Sequence, residues 1–245
     1  MRGYVGRAGA VTLALWTATS VATAQPLTWT KKTPAYAFAY TIPRAAGDIA
    51  PLRRWLERDQ AGFRRRFTAE AEADYAEMRR AKDRDFFAYD GRRTWKVVAQ
   101  TPRLLSLSNE TYLYTGGAHG RTLIDSFVWD KARATLVEPT AFFSSPALLQ
   151  RVLGARWCAW LARERARRLG GPVAKDPTFP CPKIAELTLL LGSTDRRAID
   201  RVGLIAGQYV AGSYAEGMYE MTVPVTPELL AAVRPEWRGV FRVQQ

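Results

Sequence analysis

Between Asp48 and Asp83 the apolar residues recur every three, four or seven positions: Leu52, Leu56, Phe63, Phe67, Ala71, Tyr75 and Met78. That period is helical and gathers them on one stripe. The rest of the stretch carries Arg53, Arg54, Arg58 and the Arg64-Arg65-Arg66 triplet. Such a helix cannot be buried all round, so it must lie with one face against an apolar partner. Acidic Glu70, Glu72, Asp74 and Glu77 follow the basic half and match much of its charge. The charged side therefore reads as a solvated outer face rather than an anion groove.

Strands supply the partner. In "LTWTKKTPAYAFAYTIP", residues 27–43, Tyr36, Phe38, Tyr40 and Ile42 fall on one side of a strand that Pro43 ends. Residues 94–130 read as three strands, "TWKVVAQ", "LLSLSNETYLYT" and "TLIDSFVWD", joined by Thr101-Pro102-Arg103 and by a glycine loop. "WDKARATLV" continues with a turn and a short returning strand. Ser145-Pro146 opens a second helix, a hydroxyl N-cap followed by proline. Its buried face is Leu149, Leu153, Trp157, Trp160 and Leu161, and Gly170-Gly171-Pro172 stops it. Arg163, Arg165, Arg167 and Arg168 collect in its last turns, where cations suit the helix dipole. "LGGPVAKDPTFPCPKI" is loop, "VGLIAGQYVAG" and "MYEMTVPV" are strands, "TPELLAAV" is a short helix capped by Thr226, and "WRGVFRV" is a last short strand. Together these predict an α+β fold, a mainly antiparallel sheet with two main helices packed against it.

The first 24 residues predict an export signal. Arg2 and Arg7 precede a largely apolar run from Ala8 to Val21, and Ala22-Thr23-Ala24 places small residues before an expected cleavage at Gln25. The apolar run is short for a membrane span and is diluted by threonine and serine, and no later stretch is long and apolar enough to cross a bilayer. Removing 24 of the 245 residues leaves 221, read as a single α+β domain over 25–245 with halves 25–112 and 113–245. The formal charge falls from +13 to +11 with the loss of Arg2 and Arg7. Export argues against nucleic acid as the partner of that charge, and leaves wall polymers, anionic lipids and envelope proteins. Cys158 and Cys181 are the only cysteines. An even count in an exported chain predicts one disulfide, with two buried thiols as the alternative.

The glycine loop is "YTGGAHG", Tyr114 to Gly120, and it holds the only histidine. A histidine enzyme needs a nucleophile beside the base and an acid beyond it. No G-x-S-x-G, H-E-x-x-H or clustered Asp-His-His set is present, so no metal site and no cofactor are expected. The other reading is conformational. Gly116 and Gly117 take positive φ without steric cost, Gly120 resets the chain for the next strand, and His119 pins the turn or lines a small polar pocket. Tyr209, Tyr214 and Tyr219 are expected at a sheet edge, either as a sugar-stacking surface or as ordinary packing.

"YTGGAHG" followed by an alternating strand and a helix, and then "GQYVAGSYAEGMYEMTVPVTPELLAAVRPEW", resembles a domain pair of unknown function in exported bacterial proteins. That family is known from the extracellular part of the RsiV anti-sigma factor and from the region preceding the deacetylase of PdaC. "YTIP" at Tyr40–Pro43 matches its first half, and the turn with Tyr209, Tyr214, Ala215, Glu216 and Gly217 its second. The resemblance spans about residues 27–240 and implies an α+β fold built from both halves. It also brings in lysozyme, which one member binds as a signal. A strongly basic chain would repel basic lysozyme over a Debye length of about 8 Å at physiological salt unless a local acidic patch intervenes. This chain is expected to be the module standing alone, so deacetylation is not carried over. The leading expectation is an exported non-catalytic module that binds peptidoglycan or an envelope protein through Tyr114, Gly116, Gly117, His119, Tyr209, Tyr214 and Glu216. The alternatives are a peptidoglycan-acting enzyme using His119 and Glu216 as an acid–base pair, and a lysozyme-binding or inhibitory protein.

Overall fold

The computed structural model describes residues 25–81, 86–172 and 178–244; the export signal expected over residues 1–24 lies outside the described residues, as do Asp83 and the loop positions 173–177. The chain opens as β1 (Leu27–Lys32) and β2 (Tyr36–Ile42), then a single turn α1 (Arg44–Gly47) and the long α2 (Ala50–Arg80). Next come β3 (Tyr89–Gln100), β4 (Leu104–Tyr114), β5 (Arg121–Asp130) and the short β6 (Thr135–Val137). The second part is α3 (Pro146–Leu169), β7 (Thr188–Gly192), β8 (Arg201–Ala206), β9 (Tyr219–Pro224) and α4 (Pro227–Ala232).

Residues 27–43 are two strands and not one. Thr33 breaks them, its hydroxyl accepting from the amides of Ala35 (3.2 Å) and Tyr36 (3.1 Å) to fold a hairpin. β1 to β6 form a six-stranded sheet in chain order, antiparallel except for β2 and β3. Those two run parallel because the helical crossover between them returns the chain to its starting end. A separate three-stranded antiparallel sheet has the order β7-β8-β9.

The predicted stripe of α2 lies on β2. Leu52, Leu56, Phe63, Phe67 and Ala71 are buried with Tyr36, Phe38, Tyr40 and Ile42, and the Phe38 ring lies 5.6 Å from that of Phe63. Tyr75 and Met78 are only half-buried. On β4 the run Leu104–Leu107 is buried without alternation, because both faces are covered. Leu105 and Leu107 join the core under α2, whereas Leu104 joins Val128 in a second core with α3, the small sheet and α4. The large sheet is thus the shared wall of two cores.

α3 starts as expected, Ser145 Oγ accepting from the amide of Leu148 at 3.1 Å, and ends at Gly170 with φ 78°. Leu149, Leu153, Trp157 and Leu161 are buried; Trp160 is partly so. Cys158 and Cys181 form the expected disulfide, with Cα atoms 5.7 Å apart. By chain entropy it contributes about 3 kcal/mol. Two expectations need correction, and one strand was not foreseen. "TLLLG" forms β7, which the alternation rule misses because the run is continuously apolar. "GQYVAG" is turn rather than strand. "WRGVFRV" falls in a 3-10 turn, Pro235–Val240, followed by one isolated bridge between Phe241 and Ile199. Trp237 dictates this, packing its ring into the second core at 4.5 Å from Phe142.

A buried polar network fixes α2 on the sheet. The Tyr40 hydroxyl donates to Asp59 Oδ2 (2.7 Å) and accepts from Trp95 Nε1 (2.8 Å), while Arg93 Nη1 holds both Asp59 oxygens at 2.7 and 2.9 Å. Burial, reinforced by the neighbouring Asp59 charge, pushes the Tyr40 phenol far above its usual range, so it remains a donor. Tyr40→Phe leaves the indole N–H unanswered and is expected to lower the unfolding free energy by about 2 kcal/mol. Urea denaturation measures this. A change within about 0.5 kcal/mol would mean the network is energetically idle.

Candidate functional site

The loop between β4 and β5 takes its shape from two adjacent glycines. Gly116 has φ 93° and Gly117 φ 86°, a region that strains any residue with a Cβ. Tyr114 Oη donates to the Gly117 carbonyl at 3.2 Å and braces the bend. Gly120 is buried against the Tyr112 ring, where a Cβ would come within 2.5 Å of that side chain.

His119 is exposed, and both ring nitrogens are engaged. Nδ1 lies 3.0 Å from the Gly120 carbonyl, which can only accept, so Nδ1 carries the proton. Nε2 then accepts from Tyr209 Oη at 3.2 Å. The ring also stacks on Tyr214, with centroids 3.7 Å apart and planes 16° apart. Tyr209 and Tyr214 lie 5.9 Å from each other, closing a three-ring cluster.

These tyrosines do not share a strand edge. Tyr209 sits in a turn at φ 65° and is 52% exposed; Tyr214 belongs to a 3-10 turn, Tyr214–Glu216; Tyr219 is in β9 and fully buried. Two of the three expected tyrosines reach the histidine, and the third is core. The Tyr209 turn is tied to the large sheet where Gln208 Oε1 accepts from the amide of Thr122 at 2.8 Å.

Glu216 has a different task from the one expected. Its carboxylate accepts from Arg165 Nε and Nη2 (2.9 and 3.2 Å), Tyr219 Oη (2.7 Å) and the Ser213 amide (2.8 Å). Arg165 above all, helped by Tyr219 and Ser213 against the cost of burial, holds it at about 2. A carboxyl held so low has no proton to give near neutral pH and is a weak base. Among the described residues no hydrogen bond joins it to His119, its partner in the alternative acid–base reading. Glu216 supports the turn that carries Tyr214. The arginines of α3 join in: Arg168 Nη1 donates to the Glu216 and Met218 carbonyls at 2.7 and 2.8 Å. Their clustering serves this loop as well as the helix dipole.

The ring cluster borders a pocket of about 450 Å³ lined by Leu113, Gly116, His119, Arg121 and Tyr209. Behind the same glycines lies a second pocket of about 350 Å³, walled by Phe86, Phe87, Asp74 and Glu77. Phe87 is 68% exposed, and the sequence reading did not single it out. Among the described residues no three or more His, Cys, Asp or Glu side chains converge as a metal site. No described helix is long and apolar enough to cross a membrane.

With this geometry in place, the comparisons gain meaning. The family model "Deacetylase PdaC" matches residues 29–122, from β1 through the glycine turn. No curated protein matches the chain. A crystal structure of a DUF3298 family protein from Pseudomonas aeruginosa PAO1 is similar with 16% identity and a TM-score of 0.52, over 90% of this chain and 95% of that one. A DUF3298 family member from Bacteroides fragilis NCTC 9343 has 15% identity and a TM-score of 0.48, over 88% and 95%. At these identities the first likeness speaks for the fold alone and the second carries no argument. Neither bears on the RsiV part of the resemblance.

The Glu216 carboxyl lies below the ordinary glutamate value of 4.5 when folded. Its contribution is therefore complete above 4.5 and is lost as pH falls towards about 2. Glu216→Gln removes the charge that Arg165, Tyr219 and the Ser213 amide converge on, and is expected to cost about 3 kcal/mol at neutral pH. It should also flatten the fall of stability across that acid window. Denaturation curves recorded through the window test this, and an unaltered slope would contradict it.

Proposed function

We propose that the chain is a non-catalytic binding module of the bacterial envelope, and that the glycine turn with Tyr209, His119 and Tyr214 receives a saccharide ring of the wall polymer. One observation carries this reading: Tyr209 is held in left-handed backbone, half its surface exposed, at the lip of a 450 Å³ pocket. A non-glycine residue in that conformation costs on the order of 1–3 kcal/mol, and such strain concentrates where a side chain is displayed for contact. Stacked phenol and imidazole faces offer an apolar surface to the C–H face of a sugar, with polar tips at the rim for its hydroxyls. The envelope setting rests on the expected export signal and on the disulfide, which suits an oxidising compartment. Deacetylation, named for the matched family, is not part of the reading.

A protein partner is the second reading, favoured by Phe87 beside Asp74 and Glu77. This patch supplies the local acidity that a basic partner such as lysozyme would need on an otherwise basic chain. A lysozyme turbidity assay with added protein separates the two.

For the leading reading, the purified protein is expected to sediment with peptidoglycan, and Tyr209→Ala to weaken retention about tenfold, the worth of one aromatic contact. Circular dichroism should be unchanged. Absence of wild-type retention would sink the proposal. Release of wall fragments that His119→Ala abolishes would replace it with catalysis.

A further inference from the structure

The first three turns of α2 carry a second feature that the glycine-turn site does not use. Pro51, Arg54, Trp55 and Arg58 face Trp129 and the β6 residues Thr135 and Leu136 across a cleft of about 420 Å³. It exists because the buried stripe of α2 runs over β2, leaving the β5–β6 end of that sheet face partly uncovered.

The walls are of two kinds. The Trp55 indole is half-buried and locked in place, edge-on to Trp95 (5.7 Å, 80°) and to Phe127 (5.7 Å, 61°), and Trp129 forms the buried floor. Arg54 and Arg58, one helical turn apart and exposed, are the cations. Their neighbours are neutralised locally: Arg53 pairs with Glu57 at 2.8 Å and Arg44 with Asp48 at 2.9 Å. Among the described residues neither Arg54 nor Arg58 has an ion pair or hydrogen-bond partner. No acid lines the cleft, and nearby Asp130 is already committed to Arg103 at 3.1 Å. The 31-residue helix also begins with no acidic side chain in its first turn and no side-chain cap. Two like charges one turn apart repel, and the uncompensated helix end adds to the positive potential.

From this juxtaposition we infer a second binding site, for an acidic sugar: a pyranose ring carrying a carboxylate or phosphate group. The two guanidinium forks take the anion, since their planar donors match carboxylate and phosphate oxygens. The ring lies on Trp55. Its hydroxyls meet the outer backbone edge of β6, the last strand of the sheet, whose N–H and C=O groups have no further strand to pair with. A nucleotide is less well served, because the cleft offers one indole face and no opposed ring to sandwich a base. The site is separate from the glycine turn. Along β5, Arg121 borders the pocket beside the glycine turn and Trp129 this cleft, a span on the order of 27 Å at the rise of a strand.

The test is calorimetric titration of the purified protein with glucuronate, glucose 6-phosphate, glucose, inorganic phosphate and adenosine monophosphate. At least one sugar acid should bind with Kd on the order of 1 mM, and about tenfold or more tighter than glucose or phosphate alone. Whichever of the two binds tighter identifies the anion. The R54Q/R58Q double variant should lose that binding about tenfold or more, and Trp55→Leu should erase the advantage of the sugar acid over phosphate. Tyr209→Ala should leave it unchanged, which separates this site from the proposed glycan surface. Phosphate binding as tightly as the sugar acids would reduce the site to a bare cation pair and overturn the inference. So would preference for adenosine monophosphate, full binding by R54Q/R58Q, or no heat at about ten times the expected Kd.

Discussion

The Glu216 carboxylate, 6% exposed, is held between the guanidinium of Arg165 and the chain that turns around it. Removing such a charge from water is costly, and the cost is offset only while every donor stays in place. Arg165, Tyr219 and the Ser213 amide come from a helix, a strand and the turn itself, so all three elements are set relative to one another. Gly212 makes room for the carboxylate, since a Cβ there would lie 2.6 Å from its carboxyl carbon. The same turn presents Tyr214, on which the histidine stacks. An aromatic surface that looks like a loop decoration is therefore seated on a buried ion pair.

A second constraint explains how that surface spans two sheets. β6 pairs only with residues 128–130 of β5, so among the described residues the earlier part of that strand's edge is in no backbone ladder. Unpaired backbone groups at a protein junction must find other partners. Along this edge the Thr122 amide donates to Gln208, the Ile124 carbonyl accepts from Thr188 Oγ1 at 2.7 Å, and Ser126 Oγ donates to the Leu189 carbonyl at 2.6 Å. The contacts fall at every second residue, as the pleat requires. They join the second sheet and its loop to the strand that leaves the glycine turn, which brings Tyr209 within reach of His119.

The features legible in the sequence were those with a short-range physical cause. The α2 stripe follows from helical period, the hairpins from alternation, and the Ser145 and Thr226 caps from local hydrogen bonding; the glycine turn follows from positive φ. The assignment of Tyr209, Tyr214 and Tyr219 to one strand edge had its refutation in the numbering. A spacing of five is odd, and odd steps in a strand alternate faces. Ser213-Tyr214-Ala215-Glu216 also has the spacing of a capping box, which foretells a carboxylate folded back on its own turn. The partner of Glu216 was out of reach, because Arg165 is 51 residues away and nothing local marks it. Arg54 and Arg58 were read with the rest of a solvated face, for their lack of acidic neighbours appears only once Arg53, Arg44 and Asp130 have found theirs.

The bonds of His119 and of Glu216 differ in how readily each can be rearranged. In the Nδ1–H form the imidazole donates to Gly120 and accepts from the Tyr209 phenol. A phenol oxygen can accept as readily as it donates. The contact with Tyr209 can therefore run in either direction, and the imidazole keeps its place on Tyr214 by ring stacking. Glu216 has no such alternative, since a protonated carboxyl loses its charge-assisted bonds to Arg165. The support beneath Tyr214 thus depends on a charge, whereas the ring contacts above it do not.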